Sequence, residues 1–319
     1  MTFEQILQIA GLLVTFYFSF KFCSFAWLYS RPSSIHGYLK DTEDSTGSNW
    51  ALVTGASDGI GQAFAGELCR RGFNVVLHGR NPSKLERVRK EINQKYPDCL
   101  TQIVISDANL SHPSSLERDI LAKVQDIRLS VLINNIGGTA GVQSPNEIFS
   151  TIDKYSVEAV DSIININARF TSQITRLLLP LLLKRPRSLI VSLSSAAETG
   201  MPYLSIYSGT KSYITAWSKA LTAEMQAERR NVEVLGVVVG SVQTDSNNHP
   251  LSLFHPKAET FVTAALDRVG CGEASVFGYL PHALQALFLG FFPEWIERRV
   301  LISLMGVMKD AANRMAKKS

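Results

Sequence analysis

The chain has 319 residues, 45% of them hydrophobic and 19% charged, which suits one large α/β domain with additions and excludes long disorder. A net charge of +4, with no basic stripe interleaved with aromatics, argues against nucleic acid as a partner. Cys23, Cys69, Cys99 and Cys271 are scattered without metal-ligand or disulfide-framework spacing, so a reducing compartment, mostly buried thiols and no metal site are expected.

Residues 6–29, ILQIAGLLVTFYFSFKFCSFAWLY, carry a single charge, Lys21. Their length matches the roughly 20 apolar residues a membrane-spanning helix needs. Lys21 can snorkel, and Trp27 and Tyr29 suit an interface. The opening MTFEQ has an acid and no base, unlike a signal peptide. Residues 1–30 are therefore expected as a transmembrane anchor. Arg31 and Lys40 follow it and no base precedes it, which predicts a cytosolic C-terminal domain. Residues 31–48 read as a polar linker. Apolar runs at 50–55, 74–79, 101–106, 130–135, 188–194 and 232–239 then alternate with helical spacing at 59–72, 81–96, 113–126, 155–184 and 205–229. That alternation predicts an α/β fold, a parallel sheet covered by helices on both faces, over residues 49–280. Residues 281–319 form an apolar helical extension broken at Pro293 and at Glu297, Arg298 and Arg299. It reads equally as an interfacial helix pair and as a helix packing on the domain or a dimer partner.

The first strand runs into TGASDGIG, residues 54–61. Gly55, Gly59 and Gly61, with Ile60 between them, mark a strand-to-helix turn where backbone approaches a pyrophosphate and a helix N-terminus faces it. Asp58 is expected to point away from phosphate or to cap the helix. The second strand ends in Gly79, where an acid would bind the ribose of NAD, and Arg80 follows. An arginine suits the 2′-phosphate of NADP(H), and Ser57 can add a hydrogen bond. In IYSGTKSY, Tyr207 and Lys211 lie one helical turn apart. The pair reads as chance on an amphipathic helix or as an acid whose pKa a cation lowers.

Together with NNIG at 134–137, SLSS at 192–195 and YSGTK at 207–211, the glycine turn decides between these. Their order and spacing over residues 50 to about 245 resemble the short-chain dehydrogenase/reductase superfamily in its classical type. The resemblance implies a single Rossmann-like doubly wound sheet of about seven strands. It implies Tyr207 as general acid, Lys211 as the cation that lowers its pKa and binds the nicotinamide ribose, and Asn167 in a water relay. It implies a serine that binds the substrate oxygen. Counting along strand five selects Ser195, and counting back from Tyr207 selects Ser194. Asp107 would cap the adenine site, Asn134 and Gly137 would belong to a motif that stabilises the sheet and flanks the adenosine half, and Val242 and Thr244 would lie beside the nicotinamide. Val239 stands where this family usually has proline.

The anchor, FVTAALDRVG at 261–270, GYLPHAL at 278–284 and PEW at 293–295 are similar to the membrane-bound very-long-chain 3-oxoacyl-CoA reductases and 17β-hydroxysteroid dehydrogenase type 12. That group sits in the endoplasmic reticulum membrane and faces the cytosol. The likeness implies NADPH-dependent reduction of a ketone on an apolar substrate, 3-oxoacyl-CoA first. A hydroxysteroid or specialised metabolite, such as a terpenoid or polyketide, comes second, and a non-catalytic NADPH-binding scaffold third. A homodimer through 155–184 and 205–229 is a further implication. Residues 245–260 carry no cationic cluster for a CoA phosphate, and the terminal AKKS only approaches a dilysine retrieval signal.

Overall fold

The structure, a computed structural model, describes residues 2–39, 49–110, 113–139 and 149–316. The end of the expected linker, residues 40–48, and Lys317, Lys318 and Ser319 of the terminal motif lie outside them. Helix α1, Phe3–Ser30, starts with a reciprocal cap between Thr2 and Gln5. The alternating core follows as β1 (Trp50–Thr54), α2 (Gly59–Arg70), β2 (Asn74–Gly79), α3 (Pro82–Lys95) and β3 (Thr101–Ile105). Short helices α4 (Pro113–Leu116) and α5 (Ala122–Val124), joined by a π turn, lead to β4 (Leu129–Asn134). Then come α6 (Val157–Ile164), α7 (Phe170–Leu182), β5 (Ser188–Leu193), α8 (Ser205–Ala227), β6 (Val232–Val238), α9 (Ala258–Leu266) and β7 (Ser275–Phe277). Helices α10 (Leu280–Leu289) and α11 (Glu294–Ala316) close the chain.

The seven strands form one sheet in the order β3-β2-β1-β4-β5-β6-β7, every pair parallel. This is the expected Rossmann-like sheet. Its seventh strand has three residues, too few to stand out as an apolar run. Successive residues of each strand serve opposite faces. Val53, Leu77 and Val131 pack with Phe64 and Leu68 of α2, Leu85 of α3 and Phe261 of α9. Leu52, Val76 and Leu132 pack with Phe170 and Leu178 of α7 and Met225 of α8. The strand order reverses between β1 and β4, and their C-terminal ends part there to open a crevice.

The long helix expected over 155–184 runs unbroken from Val157 to Leu182, α6 passing into α7 through a π turn at Asn165–Arg169, where the Asn167 amide donates to the Ile163 carbonyl at 2.8 Å. Two expectations are corrected. The linker is packed as far as Leu39: Ile35 and Tyr38 are buried in the α2/α9 core. Ser33 Oγ donates to Leu266 O (2.6 Å), Ser34 N–H to Val269 O (2.9 Å), and the Tyr38 hydroxyl to Glu233. Two apolar residues in a polar stretch are enough to dock it, though too few to mark an element. Finally, Cys69 and Cys99 are joined by a disulfide, and Cys23 is exposed. The end of α2 and the turn before β3 both flank β2, which brings together cysteines 30 positions apart.

Ile35→Ala is expected to cost about 2–5 kcal/mol, as for other fully buried aliphatic truncations. The thermal midpoint of the full-length protein in detergent checks this. An unchanged midpoint would return the segment to a linker.

Candidate active site

The crevice between β1 and β4 holds a cleft of about 520 Å³. The turn after β1 forms its floor. Gly55 (φ +66°) and Gly59 (φ +52°) take left-handed conformations that L side chains disfavour. A Cβ on Gly61 would overlap the Gly55 carbonyl oxygen and lie 2.6 Å from Asn135 Nδ2. Asp58 caps α2, accepting the Gly59 N–H at 2.7 Å, and its other oxygen meets Lys84 Nζ at 2.9 Å. The Lys84 hydrogen bond holds this carboxyl below its usual range. Ser57 and Ile60 line the same turn. Exposed Arg80 and half-buried Asp107 line one end of the cleft, and the Asp107 carboxylate accepts the Asn109 N–H at 2.9 Å.

Asn134 makes bonds that tie β4 to its neighbours, in keeping with a sheet-stabilising role, and does not itself line the cleft. It is buried, its amide donating to Thr175 Oγ1 (2.9 Å) and Ser192 Oγ (3.2 Å). Alternation turns the next residue the other way. Asn135 lines the cleft and donates to Thr54 O (2.9 Å) and Gly55 O (3.3 Å). Of the two asparagines in NNIG, the unassigned one shapes the turn. Ser106, Asn109, Ser162 and Asn247 also line the cleft and had no sequence signal beyond ordinary loop composition.

At the other end α8 presents Tyr207 and Lys211. Lys211 Nζ lies 5.6 Å from the Tyr207 ring centroid and donates to Leu193 O at 3.0 Å. Burial holds its pKa down, to about 8. Burial pushes the Tyr207 phenol up, and a hydrogen bond with the Ser195 hydroxyl pulls it back. The ammonium is directed at a carbonyl, and desolvation dominates the phenol. Ser194 and Ser195 both line the cleft, but Ser194 is 2% exposed and its hydroxyl is engaged by Lys211 O (2.8 Å), Glu198 (2.6 Å) and Thr215 (2.9 Å), whereas the Ser195 hydroxyl meets Tyr207. Asn167 is buried behind the cleft. Its Oδ1 accepts the Gly138 N–H at 2.9 Å and its Nδ2 donates to Gly138 O at 2.7 Å. A Cβ on Gly137 would lie 2.7 Å from Asn167 Oδ1 and 2.8 Å from Lys211 Nζ, so glycine lets these groups converge. Val242 and Thr244 line the wall after β6, with the Thr244 methyl against Gly59. Among the described residues no three His, Cys, Asp or Glu side chains are placed to hold a metal.

Residues 49–251 match the family of short chain dehydrogenases. The chain belongs to this family. A very-long-chain 3-oxoacyl-CoA reductase of Candida albicans is 34% identical over 312 residues, 93% of this chain and 83% of that relative. Its counterpart of the same name in Mus musculus is 32% identical over 270 residues, 84% of this chain and 82% of that relative. A solved structure described as a 7β-hydroxysteroid dehydrogenase shares the fold, with a TM-score of 0.68 and 21% identity over 79% of this chain and 96% of that one.

Gly61→Ala is expected to weaken NADPH binding by more than about tenfold, or ~1.4 kcal/mol, with the far-ultraviolet circular dichroism unchanged. Fluorescence titration checks this, and wild-type affinity would show that the turn has room to relax.

Proposed function

We propose that the chain is a membrane-anchored, NADP(H)-dependent ketone reductase whose substrate is a 3-oxoacyl-CoA. The observation that carries this reading is the convergence of Tyr207, Ser195 and Lys211 at one end of a cleft whose floor is a glycine turn. The turn fits the cofactor: glycines at 55, 59 and 61 keep backbone open beside the α2 N-terminus, the Asp58 carboxylate that caps it is paired with Lys84, and Arg80 lines the same cleft for a 2′-phosphate. Bound NADPH would supply the hydride.

The chain's own groups do the rest. The Tyr207 and Ser195 hydroxyls are aimed to donate to a carbonyl oxygen, and negative charge growing there draws the Tyr207 proton. Lys211, one turn on, stabilises the phenolate that remains. Asn167 holds the Gly138 backbone and, with it, the wall beside Lys211. Burial alone raises the phenol pKa and weakens it as an acid, and the Ser195 hydrogen bond opposes that rise.

The names of the two relatives support the acyl-CoA choice. Helix α1 is long and apolar enough to cross a membrane, and its membrane-length window is wholly unburied. Its end is docked on the domain, Tyr29 donating to Phe277 O (2.9 Å) and Arg268 to Leu28 O (2.6 Å). An endoplasmic reticulum membrane with the domain in the cytosol completes the reading, and there the Cys69–Cys99 pair would stand as thiols. One observation favours a steroid or specialised ketone instead. The loop after β6 presents exposed Leu251, Leu253 and Phe254, with Lys257 its only lysine or arginine.

NADPH oxidation should therefore be followed with a long-chain 3-oxoacyl-CoA, a 17-ketosteroid and a terpenoid ketone. Turnover of the acyl-CoA is expected, lost by about 10²- to 10⁴-fold in Tyr207→Phe. Turnover of the polycyclic ketones alone would replace the substrate. Equal rates in wild type and mutant would remove Tyr207 as the acid.

The pH profile is a separate check. A lysine with a depressed pKa is charged below that value and neutral above it. The reduction rate should fall as pH rises through about 8, where Lys211 loses its proton. A flat profile through that pH would dismiss its charge from the reaction.

A further inference from the structure

The corner after β6, residues 238–244, reads VVGSVQT and contains no proline, so its stiffness is not built into the chain. Yet Val242, Thr244, Ser246 and Asn247 of the following loop all line the cleft. Something must hold that loop. On α10, outside the cleft lining, His282 is 2% exposed, and both its ring nitrogens meet loop backbone. The Gly240 N–H donates to Nδ1 at 3.3 Å. Nε2 lies 3.1 Å from Ser241 O and 3.2 Å from Phe254 O.

These contacts determine the tautomer. A backbone N–H can only donate, so Nδ1 is the acceptor and the proton sits on Nε2. That proton is shared between Ser241 O and Phe254 O. The ring thus ties the root of the loop to its returning arm. Its own position is set by Tyr279, edge-on at 5.1 Å between centroids, and by Phe261 of α9 at 6.2 Å. The fit leaves no slack: a Cβ on Gly240 would lie 2.6 Å from His282 Cγ. Ser241 is also held from the far side, its hydroxyl 2.8 Å from His255 Nδ1.

We infer that His282 is a positioning residue, which clamps the loop after β6 so that Val242 and Thr244 stand against bound dinucleotide. It touches neither cofactor nor substrate and acts through backbone. This rests on the reading of the cleft as a dinucleotide site. Glutamine can carry a donor to the place of Nε2, whereas methionine has the same reach and no donor.

His282→Gln and His282→Met in full-length protein therefore form the test. Two readouts are taken: the NADPH dissociation constant, and the rate of chymotryptic cleavage at Leu253 and Phe254. The methionine variant should bind NADPH about tenfold more weakly, the worth of roughly 1.4 kcal/mol of lost hydrogen bonding, and its loop should be cut faster. Glutamine should restore both to within about twofold of wild type, as rescue of one such bond predicts. Wild-type behaviour of the methionine variant overturns the clamp, and so does equal impairment of both variants, which would reduce His282 to packing. Should the methionine variant not fold, His282→Phe, which keeps a ring and loses both bonds, takes its place. The cleavage rate needs no cofactor, so it separates failure of the clamp from failure of the dinucleotide reading. Faster cutting with NADPH binding absent even in wild type would overturn the latter alone.

Discussion

The whole site hangs on how closely two backbones approach where β1 and β4 part. Asn135 closes that gap by donating to the carbonyls of Thr54 and Gly55, while the Thr54 hydroxyl accepts the N–H groups of Asn135 and Ile136 at 2.9 and 3.1 Å. These bonds satisfy polar groups that the diverging strands would otherwise leave unmet. They also bring the first turn of α2 so near the Gly55 carbonyl that only glycine fits at 61. The helix N-terminus is thereby aimed into the crevice, and Gly137, two residues after Asn135, comes to rest between Asn167 and Lys211. One half-buried side chain, Asn135, ties the phosphate end of the cleft to its chemical end.

The chemical end works against solvation. Lys211 is almost wholly buried, and among the described residues its ammonium donates to a carbonyl, Leu193 O, so its charge is weakly supported. Tyr207 is desolvated beside it. Each group alone leans toward its neutral form. Charge growing on a substrate oxygen changes that balance, because a phenolate beside the ammonium would stabilise both ions at once. Lys211 is charged below about pH 8, so the ion pair would be completed only when Tyr207 gives its proton to the substrate oxygen, and stabilisation gained at that moment is what differential binding of a transition state requires.

Much of this was legible in the sequence because two periodicities are robust. Fully buried strands show as apolar runs, and the glycine turn and the Tyr207/Lys211 spacing each have a local mechanical reason. What stayed hidden depends on tertiary contact. The NNIG motif could not show which asparagine faces the cleft, since a one-residue shift reverses a strand's sides. Ser194 and Ser195 posed the same problem at the end of β5, and only the neighbouring groups of α8 separate them. Ile35 and Tyr38 were camouflaged among polar residues. Cys69 and Cys99 are neighbours only once α2 and α3 have packed around β2.

The family's usual proline is absent after β6, and the resemblance alone would make that corner loose. The structure supplies a different restraint from a distant part of the chain, which changes what the C-terminal extension is for. Helix α10 begins three residues beyond Phe277, whose carbonyl accepts the Tyr29 hydroxyl at the end of α1. A continuous path then runs from the apolar helix through β7 and α10 to the loop against the cleft. Its links are the Tyr29 bond to Phe277 O, the short stretch of chain from Phe277 to α10, and the His282 contacts with loop backbone, so the apolar helix and the wall of the cleft share one framework.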